Sequence, residues 1–127
     1  MLETFISQVE WMTVTISTLV CFVLGWLWYS DKLFGKQWKA GLGTPAWTAP
    51  MWMPMSAQLG STFLLAIIIN MATADGHAFH AILVAITVAG FIKANGYFSG
   101  KTMTAVSVDV LYVVVMAAIM ITINLSI

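Results

Sequence analysis

Long apolar stretches, rather than alternating or one-faced patterns, set the rhythm of this chain. They run from Trp11 to Tyr29, from about Met55 to Thr73, from about Ala78 to Phe98 and from about Thr102 to Asn124. Each is near the ~20 residues that an α-helix needs to cross ~30 Å of hydrocarbon. The pattern therefore predicts an all-α polytopic membrane protein, with four transmembrane helices in a bundle. The breaks between the runs have local causes. Pro45, Pro50 and Pro54 crowd the first connection, and Pro54 suits the first turn of a helix, where its missing N–H is not needed. Asp75-Gly76 is a turn pair, and Ser99-Gly100-Lys101 closes a tight hairpin with Thr102 as N-cap. No linker, low-complexity tract or long repeat divides residues 1–127, which read as one membrane domain.

Composition strengthens this picture. Of 127 residues, 61% are hydrophobic and 8% charged, against roughly a quarter charged in a soluble domain. A globule of this size cannot hide so much apolar surface, so lipid must cover the rest. The first run is not expected to be a cleaved signal peptide, because Glu3 and Glu10 make its flank acidic and no small-residue cleavage site follows Tyr29.

Charge then gives a direction. There is no arginine, and the five lysines are Lys32, Lys36 and Lys39 in the first connection with Lys93 and Lys101 around the third. With four spans these connections share one side, and the positive-inside rule makes that side cytoplasmic and both termini external. Trp28, Tyr29, Trp38, Trp47 and Trp52, joined by Trp26, are expected to form a lipid-facing belt at the cytoplasmic headgroups. Asp31 to Ala40 reads as a short amphipathic interfacial helix, with Lys32, Lys36 and Lys39 at helical spacing and Phe34 and Trp38 on other faces. Its lysines suit a topology anchor or, alternatively, a surface for anionic lipid or a partner.

The same segment carries a resemblance. Trp28-Tyr29-Ser30, followed by Leu33-Phe34-Gly35-Lys36 and Trp38 just after a first span, resembles the signature of the small bacterial membrane family catalogued as domain of unknown function 1761. Length, four-span layout and the Gly90-Phe91 pair are also similar. The resemblance implies a multi-pass protein of the bacterial inner membrane, and brings no activity, cofactor or catalytic residue with it.

Packing and chemistry have few candidates. Thr13, Ser17, Cys21 and Gly25 repeat every four residues along the first span, as Ala81, Ala85 and Ala89 do along the third. Small residues at that spacing let helix backbones approach closely in lipid. Asp109 is the acid well inside a span, where a charge costs at least ~2.5 kcal/mol and so needs a partner. Lys93 continues the alanine stripe, and both residues should lie roughly 10–13 Å from the hairpin tip, so an intramembrane Asp109–Lys93 ion pair is expected. That pair reads either as a structural clamp or as a titratable group on an aqueous path. His77 and His80 read as interfacial caps and Met51, Met53 and Met55 as apolar filling, so no metal or other cofactor is expected. Gln58, Asn70, Asn95 and Asn124 stand near span ends, where water and headgroups can satisfy them. The single Cys21 is mid-span, and there is no catalytic triad, phosphate loop or basic stripe for nucleic acid. The sequence thus points to a non-enzyme, a structural or accessory subunit in contact with lipid and with itself or a larger membrane complex. The alternative is a small oligomeric ion or small-molecule carrier or channel using Asp109 and Lys93.

Overall fold

The computed structural model describes residues 2–30, 32–42, 50 and 52–126. Among the described residues six helices follow one another: α1 (Leu2–Gln8), α2 (Trp11–Trp28), α3 (Gly35–Ala40), α4 (Trp52–Ala74), α5 (Ala78–Phe98) and α6 (Met103–Ser126). No strand occurs among the described residues. Helices α2, α4, α5 and α6 are each long and apolar enough to span a bilayer, so the chain is an all-α, multi-pass membrane protein. Their bounds lie within three residues of the apolar runs. Pro54 occupies the first turn of α4, as its missing N–H allows.

The turns explain why the spans end where they do. At Gly76, with φ +76°, the His77 N–H donates to the Ala72 carbonyl and the Gly76 N–H to the Thr73 carbonyl. The same pair of bonds recurs at Gly100, with φ +86°, from Lys101 to Gly96 and from Gly100 to Tyr97. Each is a left-handed glycine cap that satisfies carbonyls at a helix end. Thr102 then caps α6, its Oγ1 accepting from the Ala105 N–H at 3.3 Å.

Helices α4 and α6 lie at the centre of the bundle: α2 packs against both, and so does α5, more extensively against α6. The buried face of α6 runs through Ala105, Val106, Val108, Tyr112, Val113, Met116, Ala117 and Met120. Helix α5 buries only a narrow edge, made by Ala81, Ala85, Ala89 and Gly96. There the backbones come close, because a Cβ on Gly96 would stand 2.6 Å from a Val106 methyl. The large side chains of α5, among them Phe79, Ile86 and Phe91, point outward to lipid.

Two elements differ from the pattern-based expectation. Helix α1 was not foreseen, since Leu2–Gln8 has no long apolar run. It is tied to α2 by the Trp11 indole N–H, which donates to the Ile6 carbonyl at 3.0 Å. The interfacial helix is shorter than 31–40, and Asp31 lies outside the described residues. The chain doubles back on the end of α2 first: the Ser30 carbonyl accepts from Leu33 and Gly35, and the Trp28 carbonyl from Phe34. These bonds occupy residues 32–34 in a turn, and only Gly35–Ala40 is helical.

Candidate functional site

The end of α2, the turn after it, α3 and the first turns of α6 meet around Asp109. This carboxylate is the seventh residue of α6, and its side chain is 13% exposed. One oxygen accepts the Tyr29 hydroxyl proton at 2.5 Å. The other accepts from the Lys101 ammonium at 3.1 Å, completing an ion pair whose lysine side chain is 29% exposed. The ammonium also stands 5.8 Å from the centre of the Trp38 ring, whose edge-on neighbour at 4.9 Å is Tyr29. Acid, base, phenol and indole thus form one closed contact set.

Backbone contacts hold this set in register. The Trp28 indole N–H donates to the Val108 carbonyl at 3.1 Å, joining α2 to the residue before Asp109. Phe34 packs on Trp28 with ring centres 4.6 Å apart. Gly35 lies against the Tyr29 and Ser30 carbonyls, where a Cβ would collide with backbone. Gly41 lies equally close to Thr102 and Ala105, and its carbonyl accepts from the Thr102 N–H at 2.9 Å. One turn further into the membrane, the Tyr112 hydroxyl donates to the Cys21 carbonyl at 2.8 Å. It can do so because Gly25 has no side chain: a Cβ there would be 2.5 Å from that hydroxyl.

The aromatic residues of the family-like signature therefore turn inward, while Leu33 and Lys36 stay exposed. Trp28, Tyr29, Phe34 and Trp38 were expected to face lipid, but all four are half-buried and pack on α6 or on one another. The physical reason is the embedded carboxylate, whose pairing with a phenol and an ammonium draws the aromatic frame in around it. Lys32, Lys36, Lys39 and Trp52 are exposed, whereas Trp47 and Met51 lie outside the described residues.

Asp109 is paired, but the expected Lys93 is not its partner. Lys93 is exposed on α5. A four-residue step overshoots a helical turn by ~40°, so three steps from Ala81 rotate the stripe by ~120° and carry Lys93 off the buried edge. Ala89 is followed on that edge by Gly96. Lys101 lies before the first turn of α6, outside the span that holds Asp109, yet its long stem reaches across the eight-residue separation.

The small-residue positions have the following places. Thr13, Ser17 and Cys21 are buried on α2, Gly25 is half-buried against Tyr112, and Ala81, Ala85 and Ala89 are buried on α5. The Cys21 thiol lies 3.6 Å from the Met116 carbonyl of α6. The Ser17 hydroxyl and the Trp38 indole N–H are buried without a hydrogen-bond partner among the described residues. His77 and His80 stack with ring centres 4.9 Å apart and are exposed.

At the opposite end, amides expected to be solvated are instead bonded to each other. The Asn70 amide N–H donates to the Asn124 side-chain oxygen at 2.7 Å, and the Asn70 oxygen accepts from the Glu10 N–H at 3.0 Å. Asn124 donates in turn to the Met120 carbonyl at 2.7 Å. Asn70 is only 3% exposed.

A cavity of about 750 Å³ opens beside Asp109, between α2, the first turns of α4 and α6. Its wall is mainly aromatic, with Phe22, Trp26, Tyr29, Trp38 and Tyr112, and Ser30, Gln58 and Asp109 are among its polar residues. A smaller one of about 390 Å³ lies between α3 and α6 and is lined by Trp28, Phe34, Gln37 and Leu111 among others.

Comparison with known proteins places most of the chain within one sequence family. The model of a family described as "Protein of unknown function (DUF1761)" matches residues 12–125. That stretch contains the four spans, short of Trp11 and Ser126 at their outer ends, and the entire contact set around Asp109. No curated protein and no solved structure matches the chain.

Proposed function

This chain belongs to the membrane family of unknown function DUF1761, and from its geometry we propose that it is a non-catalytic structural or accessory subunit, packing within the membrane against itself or a larger complex. One observation carries the reading: both oxygens of the embedded Asp109 are occupied, by Tyr29 and by Lys101. A carboxylate so held acts first as a clamp, fastening the first connection and the α5–α6 hairpin to the start of α6. The outward face of α5, with Phe79, Ile86 and Phe91, offers a surface to lipid or to a further helix. A non-catalytic role is supported by Cys21, the only thiol, which is buried against the Met116 backbone.

The protein is proposed to sit in the bacterial cytoplasmic membrane with both termini outside. Lys32, Lys36, Lys39 and Lys101 share the end of the bundle where α2 finishes and α6 begins, and cationic connections stay in the cytoplasm. A second reading, a small oligomeric carrier, draws on the cavity that Asp109 lines. Lys93, exposed on α5, gives that reading no support.

A native mass measurement on protein released from untreated membranes in mild detergent separates the two. Copurification with a larger complex is expected. A pure small homo-oligomer that moves solute in proteoliposomes would establish the carrier instead.

A further inference from the structure

We propose that the cavity beside Asp109 binds a lipophilic organic monocation, of the alkyl- or arylammonium or phosphonium class, with the Asp109 carboxylate as its counter-ion. This goes beyond the accessory role and stands whether or not the ligand crosses the membrane.

Size and chemistry agree on that class. About 750 Å³ is room for a drug-sized molecule, and the wall is predominantly apolar. Phe22, Trp26, Tyr29, Trp38 and Tyr112 line it, and aromatic faces attract cations most strongly where water is excluded. The charged group in the wall is a carboxylate, and no described lysine lines the cavity. An anion could not replace the ammonium that neutralises Asp109, and a neutral molecule would leave the carboxylate without a counter-charge once the lysine moved away.

Lys101 must yield for this to happen, and its position permits that. The carboxylate oxygen it contacts faces a side chain that is 29% exposed, against 13% for Asp109. The flexible stem can therefore release the ammonium to headgroup water while the acid stays in place. A cation entering the cavity would take over the neutralisation of Asp109, with Tyr29 still donating to the other oxygen. Lysine and ligand compete for one carboxylate.

Competition gives a test with opposite signs. Tetraphenylphosphonium and tetraphenylborate have nearly the same shape and opposite charge, and their binding to the purified full-length protein in mild detergent is measured by equilibrium dialysis. The phosphonium should bind saturably, and the borate at least about tenfold more weakly. Asp109→Asn should weaken the phosphonium by about tenfold or more, whereas Lys101→Met, which removes the competitor, should tighten it about threefold. A clamp without a ligand site would be broken alike by both substitutions. Thermal unfolding of each variant reports whether it folds. Trp26→Leu removes an exposed part of the aromatic wall with no hydrogen bond to lose, and should weaken the phosphonium with an unchanged unfolding temperature. Equal binding of the two ions overturns the proposal. So does wild-type affinity in a folded Asp109→Asn protein, or a Lys101→Met variant weakened like it. Should neither charge variant fold, the paired ions on the wild type and Trp26→Leu decide.

Discussion

The two ends of the bundle are fastened by different chemistry. At the lysine end an acid, an ammonium, a phenol and an indole close around Asp109. At the other end two amides and one backbone N–H suffice, through Asn70, Asn124 and Glu10. Both devices bring α2 or its flank together with α6, yet they do so with unequal consequences. The amide set is neutral and pairs groups that each cost little to embed. The charged set holds an acid that is expensive in hydrocarbon unless it is neutralised, so losing one partner strands the other. The amide end therefore supplies register, and the charged end a conditional lock.

Six substitutions, two of them paired with another as controls, break or sharpen this contrast. Asp109→Leu should have the largest effect, lowering stability by about 2–4 kcal/mol in detergent unfolding, since it removes both contacts and leaves Lys101 and Tyr29 without their acceptor. Gly25→Ala should cost about 1–3 kcal/mol by pressing a methyl against the Tyr112 hydroxyl. Part of that loss should be recovered when Tyr112→Phe is added, because the single changes couple through one contact, which a double-mutant cycle reads directly. Asn70→Ala, at the neutral end, should cost only about 1 kcal/mol despite breaking two hydrogen bonds, as polar contacts within membrane bundles are worth less than burial suggests. Lys93→Gln should change unfolding by less than about 0.5 kcal/mol, while Lys101→Met costs more than that. Were Lys93→Gln the more damaging of the two, the assignment of Lys101 as the partner of Asp109 would be wrong.

The two ends also differ in how far the sequence disclosed them. The spans were legible because hydropathy is a property of single residues summed along the chain, and lipid needs nothing more specific than about twenty of them. The turns at Gly76 and Gly100 were legible because a left-handed residue at a helix end favours glycine. That Asp109 requires a counter-charge could also be read from its place in α6. Which lysine supplies it could not, because a repeat of four drifts around a helix of 3.6 and only the packed structure shows where the drift leaves the interface. The inward turn of Trp28, Tyr29 and Trp38 was hidden for a related reason: an interfacial aromatic facing lipid and one facing α6 have the same residue type and the same depth. The Asn70–Asn124 pair joins residues 54 positions apart, a relation that no local pattern encodes.

The lock at Asp109 has a consequence for the order in which the protein matures. Tyr29 and Asp109 are 80 residues apart, and Trp28 reaches across the same interval to Val108. Synthesis proceeds from the N-terminus, so α2 and the connection after it enter the membrane well before their counterparts on α6 exist. During that interval the Tyr29 phenol lacks its acid and the Trp28 indole its carbonyl. Arrival of the Lys101 hairpin and the start of α6 supplies both acceptors and the counter-charge together. A chain halted after α5 lacks both acceptors, so the clamp can close only once the start of α6 has been made.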